Sequence, residues 1–164
     1  MAGKLAGKKI LVVDDEPDIC EMIQDVLEGC TVDIAHSYEA ANEKLAAGGY
    51  DCVILDIMGV RGHDLLNGFG SQYPTIMLTA HALNVDALKD SVKGNARLFL
   101  PKQELGRLEE YVEKVLEAPK SSLWGWLLGK LDFRNWFGPD FSKADFGKEL
   151  SLADVMEDLN AGRD

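Results

Sequence analysis

Five short, largely apolar runs alternate along this chain with segments in which apolar residues recur at helical spacing. The runs cover residues 10–13, 31–35, 52–55, 75–78 and 96–100. Continuous apolar runs of four or five residues are typical of strands that are buried on both faces. Because strand and helix alternate five times, the sequence predicts an α/β fold with a five-stranded parallel sheet and helices on both of its faces.

The helical segments carry start and stop signals. Pro17 stands at a first helical position, and Gly29 ends the apolar repeat that follows it. Ser37 is placed to cap a second helix, which ends at Gly48 and Gly49. Three further helices are predicted: a short one in the glycine-rich segment 59–70, one around residues 85–92 and a long one over residues 105–116.

Charge and hydropathy restrict what this chain binds. Its 17 Lys and Arg against 28 Asp and Glu give a formal net charge of −11, which disfavours nucleic acid as a partner. The sequence has no apolar stretch of 18 residues and no apolar segment suited to a signal peptide, so we expect a cytoplasmic protein without a membrane span. The three cysteines lack metal-binding spacing and are interpreted as reduced, buried thiols.

Polar residues follow four of the predicted strands. Asp14 and Asp15 follow the first strand, Asp56 the third and Thr79 the fourth, while Lys102 lies two residues beyond the fifth. In an open parallel sheet, ligands bind beyond the carboxyl ends of the strands. Aspartate after a strand is more often a turn or capping residue, but all five residues together favour a binding site.

Three carboxylates that converge in a partly desolvated cleft repel one another unless they take up protons or hold a cation. Carboxylate oxygens with room for water and phosphate suit Mg²⁺, or Mn²⁺ in its place. Thr79 adds a hydrogen-bond donor and Lys102 a positive charge for an incoming anion. The set therefore predicts a phosphoryl-transfer site in which Asp56 is the nucleophile.

Four segments of the chain resemble the receiver domain of the two-component response regulators. They are residues 10–17, 53–58, 77–80 and 99–102, each at the end of a predicted strand. The resemblance extends over residues 8–118. It implies a flavodoxin-like (βα)5 fold with strand order 2-1-3-4-5. It also implies a phosphoprotein that takes a phosphoryl group from a histidine kinase or a phosphotransfer protein.

The resemblance assigns a role to each residue of the metal site. Asp56 would be the phosphoacceptor. Asp15 and Asp56 would bind Mg²⁺ directly, together with the backbone carbonyl of Met58, and Asp14 would bind it mostly through water.

Other residues would respond to the phosphoryl group. By the same resemblance, Lys102 would bridge to it, Thr79 would swing toward it, and the small Ala80 would leave it room. Phe99 matches the aromatic residue whose rotamer reports the switch, although plain core packing explains it equally well. The responding surface would comprise the predicted fourth helix, the fifth strand and the last helix, and could also form a homodimer.

The sequence departs from the family pattern in two places. Receivers usually read Lys-Pro, whereas here Pro101 precedes Lys102. The loop after Asp56 lacks the usual proline, and the segment from there to the fourth strand is short. We therefore expect the third helix and the switch geometry to differ from the family more than the chemistry does.

Residues 119–164 differ in composition from the rest of the chain. They contain all three tryptophans and four of the six phenylalanines, with six basic and eight acidic residues. We expect a mainly helical arm that packs on its own receiver domain, pairs with a second copy or binds a kinase. These 46 residues are too few and too acidic for a usual DNA-binding output domain, and their negative charge disfavours anionic lipid.

The sequence thus predicts a single-domain response regulator that signals through altered protein contacts and is not an enzyme. A receiver fold that acts as an adaptor without phosphorylation is the first alternative. A dehalogenase-type phosphohydrolase is less consistent, because such enzymes need a second acid two residues after the nucleophile, where Met58 stands.

Overall fold

The computed structural model describes residues 3–79 and 96–117 of the chain. The strands are β1 (Lys9–Val13), β2 (Thr31–Ala35), β3 (Cys52–Asp56), β4 (Thr75–Thr79) and β5 (Leu98–Pro101). The helices are α1 (Pro17–Val26), α2 (Tyr38–Ala47), α3 (Gly62–Phe69) and α4 (Leu108–Glu117), with a 3₁₀ helix over Lys102–Arg107 before α4.

The five strands form one parallel sheet in the order β2-β1-β3-β4-β5. This confirms the predicted α/β architecture and the strand order that the resemblance implied. The chain leaves β1 to form β2 on one side of it and later returns to form β3 on the other side. A crevice opens at such a reversal of strand order, so the residues after β1 and β3 border it.

Local signals account for the first two helices. Pro17 begins α1 directly after Glu16, as expected for a residue with fixed φ and no N–H to leave unpaired. The Ser37 hydroxyl caps α2 by accepting a hydrogen bond from the Ala40 N–H. Gly48, at φ +81°, ends α2.

The core lies on both faces of the sheet, and every residue of β3, β4 and β5 is buried. Helix α4 contributes one apolar face, which includes Tyr111 and Val112. Tyr111 and Phe99 are among the largest fully buried side chains. Burial of side chains of this size stabilises a fold by about 1.5–3 kcal/mol each, so the core holds the sheet and its loops in fixed positions.

The prediction for the last helix is wrong in its first turn. It was expected to run continuously from residue 105, but a 3₁₀ helix begins at Lys102 and α4 begins only at Leu108. Gly106 lowers α-helical propensity in this segment, and short 3₁₀ turns are common at helix N-termini.

Three predictions fall on residues that the structure does not describe: the helix around residues 85–92, the position of Ala80, and the helical arm over residues 119–164. In the described ranges, each helix is too short or too polar to cross a lipid bilayer.

Candidate functional site

The structure brings Asp14, Asp56 and Lys102 together in a buried ion-pair cluster at the carboxyl ends of β1, β3 and β5. The Lys102 Nζ lies 2.8 Å from Asp14 Oδ2 and 3.5 Å from Asp56 Oδ1. Asp14 is fully buried and Asp56 is 3% exposed. Since buried carboxylates are rare unless they are paired, their shared lysine partner accounts for both positions.

Asp15 and Glu16 extend the acidic cluster to the surface. Carboxylate oxygens of Asp14, Asp15 and Glu16 all lie within 4.8 Å of one another. The Glu16 side chain also lies 3.5 Å from the Lys102 Nζ, and its backbone N–H donates a hydrogen bond to Asp14. Sequence reasoning missed Glu16, although it directly follows the two aspartates.

The charges in this cluster shift the pKa values of its members. Burial and, after it, the neighbouring Asp14 raise the pKa of Asp56, while Lys102 and a hydrogen bond from the Met58 N–H lower it, and the net result is a pKa of about 6. Burial tends to lower the pKa of Lys102, but the hydrogen bond to Asp14 and the surrounding carboxylates outweigh it, so the net shift is upward. The lysine therefore stays charged, and Asp56 is ionised at neutral pH.

The loop between β3 and α3 lies against this cluster. Gly59 adopts φ +82°, and a Cβ built on it would overlap the Asp15 carboxylate. The Met58 side chain is 68% exposed, and its N–H contacts Asp56 as described above. Arg61 is also left-handed, with φ 53°, and its guanidinium stacks over the Tyr38 ring at 4.1 Å from the ring centre.

The donor set fits a small divalent cation. Several carboxylates occur together, and hard oxygen donors of this kind are the ligands of Mg²⁺. Glycine at position 59 leaves the space beside Asp15 that a side chain would fill. Burial and, after it, repulsion by Asp14 raise the pKa of Asp56, and a bound cation would also relieve that repulsion.

Thr79 and Phe99 lie on the neighbouring strands. Thr79 is the last residue of β4, is buried, and is in register with Pro101 at the end of β5. Phe99 is fully buried in β5 beside Met77. The structure therefore places Thr79 at the carboxyl edge with the acidic cluster, and Phe99 inside the core.

His36, which follows β2, contacts the backbone carbonyl of Asp14. It was not identified as a site residue from the sequence. Its Nδ1 lies 3.0 Å from the Asp14 carbonyl, to which it can donate, and 3.9 Å from Cys20 Sγ. Burial raises the pKa of the Cys20 thiol to about 11. Cys20 therefore stays protonated, consistent with the expectation of a buried, reduced cysteine.

Comparison with known families and proteins gives one consistent result. A family model described as "Response regulator receiver domain" matches residues 10–113. Transcriptional regulatory protein TcrA of Mycobacterium tuberculosis is 34% identical over 107 residues, which are 61% of this chain and 42% of that protein. Response regulator protein PilR of Pseudomonas aeruginosa is 32% identical over 139 residues, 77% of this chain and 31% of that protein. The chain thus spans less than half the length of these relatives.

Solved structures agree with this match. Response regulator protein TrrA from Thermotoga maritima, in complex with Mg²⁺–BeF, is 36% identical with a TM-score of 0.59, and the match covers 66% of this chain and 99% of that one. A CheY-like receiver domain protein from Methanospirillum hungatei gives a TM-score of 0.63 at 23% identity, over 68% of this chain and 95% of that one. The second similarity supports the fold alone.

Proposed function

Because the chain belongs to the response regulator receiver domain family of two-component systems, we propose that it accepts a phosphoryl group on Asp56 in a Mg²⁺-dependent reaction. This family is a signalling domain that interacts with histidine kinases, not an enzyme in the ordinary sense. The observation that carries the proposal is the buried cluster of Asp14, Asp56 and Lys102.

In the proposed reaction, Asp56 is the nucleophile. One of its carboxylate oxygens attacks the phosphorus of a phosphohistidine, the P–O bond forms as the P–N bond breaks, and the imidazole leaves with the bonding electron pair. Asp56 must be ionised to attack. A pKa of about 6 meets this requirement at neutral pH.

Asp15 and Asp56 would bind the Mg²⁺ ion directly, together with the backbone carbonyl of Met58, and Asp14 would bind it mostly through water. The clustered acidic oxygens and the glycine beside Asp15 support this assignment. Bound there, Mg²⁺ would neutralise charge on the transferring phosphoryl oxygens. The Mg²⁺–BeF complex of the Thermotoga maritima relative is consistent with such a site.

Lys102 and Thr79 would bind the phosphoryl group once it is on Asp56. The Lys102 ammonium already lies 3.5 Å from the Asp56 carboxylate, so a small shift away from Asp14 would let it pair with a phosphoryl oxygen. Thr79, at the end of the neighbouring strand, would donate a hydrogen bond from its hydroxyl to the phosphoryl group. The small Ala80 would leave room for that group. Phe99 is fully buried, so as a switch residue it would have to exchange rotamers within the core.

The output would be a change of protein partner. We propose a cytoplasmic protein whose phosphodonor is a histidine kinase or a phosphotransfer protein, and whose receiver domain covers residues 8–118. Residues 119–164 would be an interaction arm, and a homodimer would form through that arm or through the surface of the predicted fourth helix, β5 and α4. Some relatives are named as transcriptional regulatory proteins, but the charge of −11 on this chain favours an output without nucleic acid.

Intact-mass spectrometry tests the phosphoacceptor assignment. The full chain is incubated with acetyl phosphate and Mg²⁺, and again with EDTA. We expect a phosphoryl adduct with Mg²⁺ only, and none on Asp56→Asn. An unchanged mass under all conditions would support the adaptor alternative, and steady turnover of a generic phosphoester would support the phosphohydrolase.

The output is tested by measuring oligomer mass with and without beryllofluoride, for the full chain and for residues 1–118. A change of mass in the full chain that is lost in the shorter chain would assign the response to the arm. A change in both would assign it to the receiver domain, and no change in either would contradict a homodimer.

A further inference from the structure

Gly59 lies against the Asp15 side chain so closely that no other residue fits with Asp15 in place. A Cβ built on Gly59 would lie 2.6 Å from Asp15 Cγ and 2.7 Å from Asp15 Oδ1. Both distances are below 3.0 Å, the closest approach that real Cβ atoms make. One of the two groups must therefore move if position 59 carries a side chain.

Backbone conformation alone does not explain this glycine. Gly7 has nearly the same φ, +77°, yet its added Cβ would meet nothing within 4 Å. Gly59 differs in that its missing side chain makes room for a carboxylate of the candidate cation site. Gly7 thus provides a control that has the strain of a positive φ without the contact.

The group that would move is the Asp15 carboxylate. Asp15 is exposed, so its side chain can rotate into solvent at little cost. A Cβ at position 59, in contrast, is attached directly to the backbone of a short loop and moves only if that backbone moves. A Cβ at position 59 would therefore turn Asp15 away from Asp14 and Glu16 without unfolding the chain. The cluster would lose one of its carboxylates.

We propose that Gly59 is a positioning residue for the cation: its lack of a side chain leaves room for the Asp15 carboxylate beside Asp14, and any side chain there moves Asp15 out of the site. This inference rests on the proposed Mg²⁺ site. It concerns a loop that, as noted from the sequence, departs from the family pattern. Residues that orient a metal ligand typically contribute 10–100-fold to affinity.

Calorimetric titration of the metal-free full chain with Mg²⁺ and with Ca²⁺ tests the proposal. We expect Gly59→Ala to weaken Mg²⁺ binding about tenfold or more, and Gly7→Ala to leave it unchanged. The affinity for Ca²⁺ should fall less than the affinity for Mg²⁺, because Ca²⁺ tolerates irregular coordination that Mg²⁺ does not. In an Asp15→Ala background, Gly59→Ala should cause no further loss, since the carboxylate it displaces is absent.

Thermal melts of the same proteins show whether the variants fold. Gly59→Asn serves as a second variant, because asparagine tolerates a positive φ better than alanine does and still introduces a Cβ; it should lose affinity as well. Two results would overturn this inference without affecting the proposed function. One is equal Mg²⁺ affinity of Gly59→Ala and Gly7→Ala. The other is a loss of Mg²⁺ affinity on Gly59→Ala that is as large in the Asp15→Ala background as in the wild-type chain. A wild-type chain that binds no Mg²⁺ would overturn the proposed function and this inference with it.

Discussion

The Lys102 ammonium lies 2.8 Å from Asp14 Oδ2, and neither side chain has much access to water. The same ammonium lies 3.5 Å from Asp56. One positive charge therefore faces two buried carboxylates in the metal-free protein and can neutralise only one of their two negative charges. A divalent cation that uses those carboxylates must share them with the lysine, so metal binding and the lysine charge are coupled.

Lys102→Met should strengthen Mg²⁺ binding and weaken phosphoryl transfer. Without the ammonium, the carboxylates attract the cation more strongly, and we expect a several-fold lower Kd, about 1 kcal/mol. Phosphorylation by acetyl phosphate should slow by about 100-fold or more, since a charge that stabilises the phosphoryl oxygens is gone. Calorimetry and intact-mass time courses measure the two effects.

Lys114→Met, which removes a charge from the surface of α4, is the control and should change neither quantity. Weaker Mg²⁺ binding by Lys102→Met would contradict the competition between lysine and metal.

Asp56→Asn should stabilise the metal-free protein at high pH only. The folded-state pKa of about 6 is above the ordinary 3.8, so ionisation of Asp56 favours the unfolded chain. Its destabilising effect is absent below pH 4, grows between pH 4 and pH 6, and is complete above that. In EDTA at pH 8 we expect the substitution to raise the free energy of unfolding by on the order of 1 kcal/mol. At pH 4.5 we expect little increase.

Urea denaturation at both pH values measures this difference. Asp25→Asn, on the exposed face of α1, controls for the loss of one negative charge and should show no comparable pH dependence. An equal increase in the free energy of unfolding at the two pH values would show that ionisation of Asp56 does not destabilise the fold.

Gly62→Ala should destabilise the fold. An added Cβ would overlap the Asp56 carbonyl oxygen and lie 3.1 Å from the Ile57 Cα. These are backbone atoms that cannot rotate away, unlike the Asp15 side chain. We expect a loss of about 1–3 kcal/mol in the free energy of unfolding.

Gly68→Ala is the matched control, since it lies in the same helix with nothing within 4 Å of the added atom. It should stabilise by up to about 1 kcal/mol through higher helix propensity. If the two variants unfold at the same urea concentration, the close contact at Gly62 is not real.

Those parts of the site that depend on strand ends could be predicted from the sequence. Asp14, Asp56 and Lys102 each follow an apolar run, and parallel strands bring their carboxyl ends to one edge. The contact between Gly59 and Asp15 could not be predicted, because it depends on the path of a loop whose length departs from the family pattern. Glu16 was missed for a similar reason: its partner, Lys102, is distant in sequence.

Mapping the phosphorylated residue tests the central claim most directly. The full chain is treated with acetyl phosphate and Mg²⁺, reduced with borohydride, which converts an aspartyl phosphate to homoserine, and digested for tandem mass spectrometry. We predict homoserine at position 56 and at no other aspartate, and none when EDTA replaces Mg²⁺. Homoserine at Asp14 or Asp15, or its absence from position 56, would contradict the assignment of Asp56 as the phosphoacceptor.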